Sequence, residues 1–275
     1  MPYIKSTDRS KIYYEIFGPE KSYPVILIHP IGGNIDIWDH EIPFILKKGF
    51  TVIAYEIRGH NRSSIGINRN FTMYDLVMDL QILLDELQIK KCTFIGHSIG
   101  GAIASIYAKE YSEKTDAIIF INSASKRIPD KDLEKHFTTR EIASTKGMAA
   151  LAEWTRETSK EAKNTFRDEN KWNYFKKVFT KTSVEGFVAA TKALYTMPEG
   201  EEDVTLFLKD TNLKLFGIVG SKDAVFMQLM KEMKNDIPKL EIKVIEGCNH
   251  WLIVENPDEL DKVLGEFLNF IKISI

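Results

Sequence analysis

The 275-residue sequence contains little cysteine and no long apolar segment. Its two cysteines, Cys92 and Cys248, are too few for the disulfide framework of a small secreted domain. Its apolar runs stay well short of the ~20 residues that span a membrane as a helix. Residues 1–9 are polar where a signal peptide would have an apolar core. We therefore expect a cytoplasmic protein without a membrane partner.

The sequence also lacks an excess of charge of either sign. The sequence carries 37 lysines and arginines against 39 aspartates and glutamates, a formal net charge of −2. Nucleic-acid-binding domains concentrate basic residues into a positive field, which this composition does not supply. We expect no nucleic-acid partner, and a monomer or homodimer that acts on a small-molecule substrate.

What is present fits one large α/β domain. Hydrophobic residues make up 44% of the sequence and charged residues 28%, which is enough apolar material for a sizeable core. Short β-rich runs alternate with helical patterns, and this alternation predicts βαβ units and a mostly parallel sheet. The predicted strands are Lys11–Phe17, Pro24–His29, Thr51–Ile57, Lys91–Ile95, Ala117–Ile121, Leu213–Val219 and Glu241–Ile245.

Two helices of this α/β pattern have clear sequence signals. One is predicted from Met73 to Gln88, where leucines and a valine recur at helical spacing. Thr72 and Asp75 form a capping-box pattern at its start. The last helix is predicted from Pro257 to about Phe270, because proline is well suited to the first position of a helix.

The stretch from about residue 126 to 200 breaks the alternation. It has no convincing strand, many charges and scattered aromatic residues, including Trp154 and Trp172. Thr182 and Glu185 form a second capping-box pattern within it. We predict an all-helical insertion over 126–200, between two parts of one core domain at 1–125 and 201–275.

The pentapeptide Gly96-His97-Ser98-Ile99-Gly100 is the most informative motif. It follows an apolar run and precedes a helical pattern of small residues, which is the signature of a nucleophile elbow. In such an elbow a sharp strand-to-helix turn exposes the serine hydroxyl, and flanking glycines avoid clashes that a Cβ would cause. The alternative is a glycine-rich turn whose serine takes no part in catalysis.

A serine nucleophile needs a base, and the base needs an acid that orients it. Of the histidines, only His136 and His250 follow Ser98. We interpret His136, within the predicted insertion, as a surface residue, and His250 as the base because it follows a predicted strand. Asp223 also follows a strand and is the predicted acid. The strand before it ends in Asn122, which cannot supply a charge.

An oxyanion hole needs two converging N–H donors. The first candidate is the backbone N–H of Ile99, directly after the serine. The second is that of Ile31, in the loop from His29 to Asn34, because Pro30 has no N–H. We interpret His29 as a residue that braces this loop.

Together these motifs resemble the α/β-hydrolase superfamily, in particular its cap-bearing serine hydrolases, over nearly the whole sequence. The loop from His29 to Asn34 is similar to the family's His-Gly-x-Gly-Gly loop, with Pro30 in place of the first glycine. Residues 56–63 are similar to its Asp-x-Arg-Gly-His-Gly-x-Ser loop, from which Glu56 and Asn61 depart. The resemblance implies an eight-stranded, mostly parallel sheet with helices on both faces and a helical cap at 126–200. No His/Cys/Asp cluster in the sequence has metal-ligand spacing and no phosphate-binding glycine motif is present, so we expect no cofactor and no metal.

A serine at position 98 separates this chain from similar hydrolases that use aspartate, and it indicates acyl chemistry. Our first choice is the hydrolysis of a small, largely apolar carboxylic ester through a Ser98-His250-Asp223 triad and an acyl-enzyme. Candidate pocket residues are Trp154, Trp172 and Trp251.

Four alternatives remain. Residues 35–43 resemble a segment of 3-oxoadipate enol-lactone hydrolases, and residues 247–251 resemble the histidine loop of meta-cleavage carbon–carbon bond hydrolases. A cofactor-free perhydrolase, similar to non-haem haloperoxidases, would use the same residues with peroxide in place of water. A ligand receptor or signalling protein built on a hydrolase fold belongs to a different class, and catalytic turnover would distinguish it from an enzyme.

Overall fold

The computed structural model describes residues 2–158 and 160–274. Within them, eight strands form one sheet in the order β1-β2-β4-β3-β5-β6-β7-β8. The strands are β1 Tyr3–Lys5, β2 Lys11–Phe17, β3 Pro24–Ile28, β4 Thr51–Tyr55, β5 Cys92–His97, β6 Thr115–Ile121, β7 Lys214–Gly220 and β8 Glu241–Ile245. The predicted eight-stranded, mostly parallel sheet is confirmed.

The strands from β3 to β8 run parallel, and β1 and β2 are antiparallel to their neighbours. The central strands are buried on both faces, which explains why their sequences are continuous apolar runs. The three-residue strand β1 was not among the predicted runs. It has one buried side chain, Ile4, and is too short to show alternation.

Helices cover both faces of the sheet. The α-helices are α1 Glu41–Lys47, α2 Met73–Glu86, α3 Ile99–Glu110, α4 Asp130–Leu133, α5 Lys135–Thr158, α6 Lys160–Thr165, α7 Glu169–Phe179, α8 Val184–Ala193, α9 Val204–Asp210, α10 Ala224–Asp236, α11 Leu252–Glu255 and α12 Pro257–Ser274. Helices α2, α3 and α10 contribute to one apolar core, and α1 and α12 contribute to the other. None of the described helices has both the length and the apolar character needed to cross a membrane.

Two of the predicted helix starts agree with the structure and one does not. Helix α2 begins with the full capping box of Thr72 and Asp75, and α12 begins at Pro257. The prediction of a capping box at Thr182 was wrong. The N-cap of α8 is Ser183, whose side chain accepts a hydrogen bond from the N–H of Gly186. Thr182 lies outside the helix because its backbone pairs with His60.

The chain between β6 and β7 is built from helices α4 to α9 and their connections. Helix α5 bends at Gly147, where φ is +82°. That φ lies in the left-handed region, which glycine adopts without a steric penalty. This helical insertion therefore leaves the sheet at the carboxyl edge, where β6 ends. Because β6 and β7 are parallel, the chain returns through α9 to the amino edge, where β7 begins.

Candidate active site

Ser98 lies in a sharp turn between β5 and α3. Its backbone has φ +54° and ψ −120°, a conformation that non-glycine residues rarely adopt. The flanking glycines allow this turn for steric reasons. A Cβ on Gly96 would lie 2.3 Å from the nitrogen of Gly101, and one on Gly100 would lie 2.1 Å from the carbonyl oxygen of Ile28. The pentapeptide thus has the conformation expected of an elbow.

His250 and Asp223 meet at the carboxyl end of the sheet. Nδ1 of His250 lies 2.7 Å from Oδ2 of Asp223. Asp223 is buried and caps α10, where its Oδ1 accepts from the N–H of Phe226 at 3.4 Å. A buried carboxylate on Nδ1 places the proton on that nitrogen and leaves Nε2 as the basic atom. The pair therefore has the arrangement that a serine-activating base requires.

Asn122 directly follows β6 and binds Asp223. Its Nδ2 donates to Oδ2 of Asp223 at 2.8 Å and to the carbonyl of Asn249 at 2.6 Å. Its Oδ1 accepts from the N–H of Gly220 at 3.0 Å. One fully buried amide thus connects β6, the end of β7 and the histidine loop. Asn122 carries no charge, as the sequence shows, but its donor contacts were not predicted from the sequence.

Two aromatic rings contact His250, one at its imidazole and one at its backbone carbonyl. Phe226 stacks on the imidazole with ring centroids 5.2 Å apart. Nε2 of His97 lies 2.8 Å from the carbonyl oxygen of His250, which fixes the backbone of the histidine loop. Burial, followed by the charge of His250, lowers the pKa of His97 to about 3, so His97 is neutral and can donate this hydrogen bond.

The loop after β3 carries Ile31, whose side chain borders the same cavity as Ser98. The next residue, Gly32, has φ +81°, and its N–H donates to Nε2 of His60 at 3.2 Å. The N–H of Gly33 closes the turn on the carbonyl of Pro30 at 2.8 Å. Proline at position 30 is thus accommodated in an ordered turn that presents Ile31 to the site.

Two buried histidines brace this loop. Nε2 of His29 accepts from the N–H of Ile57 at 3.0 Å, and its Nδ1 lies 2.8 Å from the carbonyl of Pro30. Burial lowers the pKa of His60 to about 4 and that of His29 well below its usual value. Both rings are neutral, each with one donor and one acceptor nitrogen. The bracing interpretation of His29 agrees with these contacts.

A cavity of 380 Å³ opens between the sheet and the helical insertion. Ser98 and His250 lie in its wall, together with Trp154 and Trp251 from the predicted pocket set. The rest of the wall is mainly apolar, with Ile128, Leu151, Phe179, Phe187, Leu194 and Phe226. Trp172 lies elsewhere, in the buried core of the insertion against Phe166, with ring centroids 5.5 Å apart.

His136 also borders the cavity, although the sequence interpretation placed it on the surface. Its Nδ1 is buried and has no hydrogen-bond partner among the described residues. Burial, then the charge of Arg140, lowers its pKa to about 4. Its neighbour Lys135 lines the same cavity. The local sequence did not reveal which face of α5 would meet the site.

The described residues also border a larger depression of 620 Å³. Its wall includes Pro24, Thr51 and residues 86–91, at the amino ends of the strands. It therefore lies at the opposite edge of the sheet from Ser98. The chemistry-bearing side chains meet at the smaller, apolar cavity.

The family model described as alpha/beta hydrolase fold matches residues 23–257. The chain belongs to the α/β-hydrolase fold family. The predictions of this family and of a hydrolase are thereby confirmed.

Among solved structures, this α/β-hydrolase aligns with one from the ammonia-oxidizing thaumarchaeon Nitrososphaera gargenis, described in work on that organism's carboxylesterases. The identity is 51%, the alignment covers 100% of both chains, and the TM-score is 0.96. A curated relative, 3-oxoadipate enol-lactonase 1 of Acinetobacter baylyi, is 25% identical over 94% of this chain and 93% of its own length.

A shorter match is to a non-heme chloroperoxidase of Burkholderia pyrrocinia, with 33% identity over 39% of this chain and 38% of the relative. The matches with the first curated relatives span between 38% and 57% of their length. The names of these relatives describe different reactions, so the similarity alone does not identify the reaction of this chain.

Proposed function

We propose that this α/β-hydrolase is a carboxylesterase that cleaves small, largely apolar esters through a Ser98-His250-Asp223 triad. One observation carries the proposal: Ser98, in its strained turn, shares the wall of an apolar cavity with His250, whose Nδ1 is held by Asp223 at 2.7 Å. The 51% identical thaumarchaeal structure, from work on carboxylesterases, supports it independently.

In this mechanism the hydroxyl of Ser98 attacks the ester carbonyl carbon while Nε2 of His250 takes its proton. Asp223 stabilises the imidazolium that forms. The tetrahedral intermediate collapses, His250 gives the proton to the departing alcohol, and an acyl-enzyme remains. Water, deprotonated by His250, then attacks the acyl carbon and releases the carboxylic acid together with the free serine.

The negative charge on the tetrahedral intermediate needs donors that are already in place. The N–H of Ile99 belongs to the first turn of α3, where backbone donors have no partner within the helix. The N–H of Ile31 is the second proposed donor, presented by the turn that Gly32 and Gly33 complete. The positive end of α3 adds to this stabilisation.

The shape of the site favours small substrates. Beside the 380 Å³ cavity, a recess of only 20 Å³ also borders Ser98, with Ile99, Ala102 and Met197 in its wall. The recess has room for about one water-sized group, so we propose that it holds the methyl end of a short acyl group and that the larger cavity holds the alcohol part. The helical insertion over 126–200 then acts as a cap that excludes water and selects the substrate.

The two thiols take no part in this chemistry. Cys92 and Cys248 are both free and buried. Burial raises the pKa of Cys248 to about 11 and that of Cys92 well above its usual value, so both are protonated at neutral pH and poorly nucleophilic. Free thiols agree with the cytoplasmic location that we propose.

Enol-lactone hydrolysis is the second candidate. Lys135 and His136 bring polar groups to the cavity wall on the side of the insertion. A lysine there could pair with a carboxylate on the substrate, and the curated relative at 25% identity is a 3-oxoadipate enol-lactonase. The same serine chemistry opens a lactone, so the two candidates differ only in substrate.

The test is a substrate panel with the whole chain. It contains p-nitrophenyl esters of increasing acyl length, an enol lactone that carries a carboxylate, a vinylogous diketone acid for carbon–carbon cleavage, and a peroxide-dependent halogenation assay. We expect multiple turnovers and the highest kcat/KM on short acyl esters. A higher kcat/KM on the lactone would favour the second candidate, and binding without turnover on every substrate would contradict both.

A serine-directed phosphonate identifies the nucleophile. Intact-mass analysis should show one label on the wild type and none on Ser98→Ala, because the elbow activates only that hydroxyl. Ser123→Ala is a matched control, since its hydroxyl donates to the carbonyl of Ser98 without taking part in the attack. Equal labelling of wild type and Ser98→Ala would contradict the assignment.

A further inference from the structure

A buried carboxyl group without a partner lies far from the triad in sequence, at the start of α1. Glu41 is fully buried, and neither of its carboxylate oxygens has a hydrogen-bond partner among the described residues. An isolated carboxylate is very costly to bury unless a proton, an ion pair or a metal compensates its charge. Its surroundings must therefore supply one of these.

A second carboxyl group faces it from α12. Asp261 is also buried, and its Oδ1 has no hydrogen-bond partner within the described part of the chain. Two buried carboxyl groups close together, each with an oxygen that lacks a hydrogen-bond partner in the described residues, form a site with affinity for positive charge.

His40 completes the group. Its Nδ1 lies 3.0 Å from Oδ2 of Asp261, and its Nε2 lies 3.3 Å from Oδ1 of Asp258. The His40 side chain is 46% exposed, so the group is open to solvent on this side. One ligand atom from each of His40, Glu41 and Asp261 lies within 4.8 Å of the others.

We infer that His40, Glu41 and Asp261 bind a divalent transition-metal ion such as Zn²⁺. One imidazole nitrogen with two carboxylate oxygens is a donor set that zinc accepts, and water can fill the open position. Around tetrahedral zinc, ligand atoms stand about 3.4 Å apart, so the three side chains need to close by at most about 1.4 Å. The imidazole favours zinc, cobalt or nickel over magnesium and calcium.

The position of the group indicates a structural role for the ion. Helix α1 follows the loop that carries Ile31, with only a short 3-10 helix, Ile35–Trp38, between them. Helix α12 follows the loop of His250 and the short α11. An ion held by His40, Glu41 and Asp261 would join the two chain segments that carry parts of the proposed oxyanion hole and base. The inference does not depend on the proposed esterase activity.

The competing explanation is a proton shared between the two carboxyl groups. A protonated Glu41 could donate to Oδ1 of Asp261 and satisfy both groups without a metal. The two explanations predict different responses to added metal, which makes them separable.

The experiment uses the full chain after treatment with EDTA and removal of the chelator. Zn²⁺ binding is measured by competition with a chromophoric chelator, and Co²⁺ is added separately for its visible absorption bands. We expect one equivalent of Zn²⁺ per chain and a rise in Tm on the order of 5 °C at a Zn²⁺ concentration of about 100 times Kd. Mg²⁺ at the same concentration should leave Tm unchanged.

Two variants and one control test the ligands. His40→Ala and Glu41→Gln should each weaken Zn²⁺ binding by at least ~10–100-fold and remove the Co²⁺ bands. His40 is half-exposed, so its alanine variant should fold even if Glu41→Gln does not. Glu259→Gln, which changes an α12 carboxylate that contacts Lys262 and lies outside the group, should bind nearly as the wild type does.

Two results would overturn the inference. One is the absence of Zn²⁺ and Co²⁺ binding in the wild type, with Glu41→Gln more stable than the wild type, which would establish the shared proton. The other is equal Zn²⁺ affinity in the wild type, His40→Ala and Glu41→Gln, which would place the ion elsewhere.

Discussion

The side-chain amide of Asn122 donates a hydrogen bond to Oδ2 of Asp223 at 2.8 Å, and that oxygen also lies 2.7 Å from Nδ1 of His250. The acid therefore receives two donors on one oxygen, from the end of β6 and from the proposed base. Because Asn122 is fully buried and also binds the carbonyl of Asn249, it fixes the acid relative to the histidine loop. We assign it as a positioning residue.

Asn122→Ala should lower kcat by about tenfold or more with little change in KM, because a hydrogen bond to a charged group contributes roughly 1.5–3 kcal/mol. Steady-state kinetics on a short p-nitrophenyl ester measures this. Thr205→Val, in α9, is the control for loss of a buried side-chain hydrogen bond, because the Thr205 hydroxyl lies 2.8 Å from that of Ser125. If both variants lose activity to the same extent, the effect of Asn122 is one of general stability.

Asn122→Asp tests the same contact through charge. A second carboxylate beside Asp223 stabilises a positive charge on the imidazole of His250 through electrostatic attraction. The acidic limb of the kcat/KM pH profile should then move to higher pH relative to the wild type. An unshifted profile would show that position 122 has no electrostatic connection to the base.

The proposed base and acid should differ in the size of their effects. His250→Ala removes the proton acceptor and should lower kcat by several orders of magnitude, with folding retained, because His250 is a loop residue. Asp223→Asn keeps the shape but loses the charge and should cost on the order of 10⁴ in kcat, by analogy with serine proteases. Near-wild-type kcat for Asp223→Asn on every active substrate would place the acid elsewhere.

The positions of the candidate site residues at one edge of the sheet could be predicted because parallel strands end there. Ser98, Asp223 and His250 each follow a strand, so strand prediction was enough to bring them together. Asn122 follows a strand in the same way, yet its role depends on hydrogen bonds with residues that are about 100 positions or more away. A neutral hydrogen-bond donor of this kind cannot be recognised from the charge of its side chain.

The insertion was harder to predict for a physical reason. Its helices pack on one another as well as on the core, so a periodic apolar face does not show which side meets the cavity. His136, expected on the surface, borders the cavity, whereas Trp172 is buried against Phe166. His40 and Glu41 meet Asp261 from the other end of the chain, and no local spacing reveals such a pair of segments.

The buried histidines that brace the loop of Ile31 should make stability depend on pH. The pKa of His60 falls from an ordinary 6.5 to about 4 in the folded protein, so the unfolded chain takes up a proton first as the pH falls. Its stabilising contribution is complete above pH 6.5 and falls by roughly 1.4 kcal/mol per pH unit between pH 6.5 and pH 4. His29, whose pKa is also lowered by burial, adds to this loss over the same range.

Urea unfolding of wild type and His60→Gln at pH 8, 6.5, 5.5 and 5 measures the contribution of His60. Glutamine can accept from Gly32 and donate to Arg58 as His60 does, without titrating. The variant should therefore lose less free energy of unfolding than the wild type between pH 6.5 and pH 5. The difference at pH 8, where His60 is neutral in both states, is the internal reference, and parallel pH curves would contradict the prediction.

Two tryptophans of the insertion, Trp154 and Trp172, should differ in their effect on substrate choice. Trp154 borders the cavity, whereas Trp172 is packed in the insertion's core beneath the Arg156 guanidinium, 4.8 Å from its ring. Binding contacts distant from the reacting carbonyl mainly change KM for substrates that reach them. Trp154→Ala should thus change the preference among acyl and alcohol chain lengths more than it changes activity on a methyl acetate-sized ester.

Trp172→Phe is the control for Trp154→Ala, because it should lower the free energy of unfolding and leave the substrate profile as in the wild type. Circular dichroism confirms folding, and kcat/KM across the ester panel gives the profile. An unchanged profile in folded Trp154→Ala would make this residue structural. Deletion of residues 126–200 tests the insertion as a whole, since a folded core with unchanged selectivity would show that it does not act as a cap.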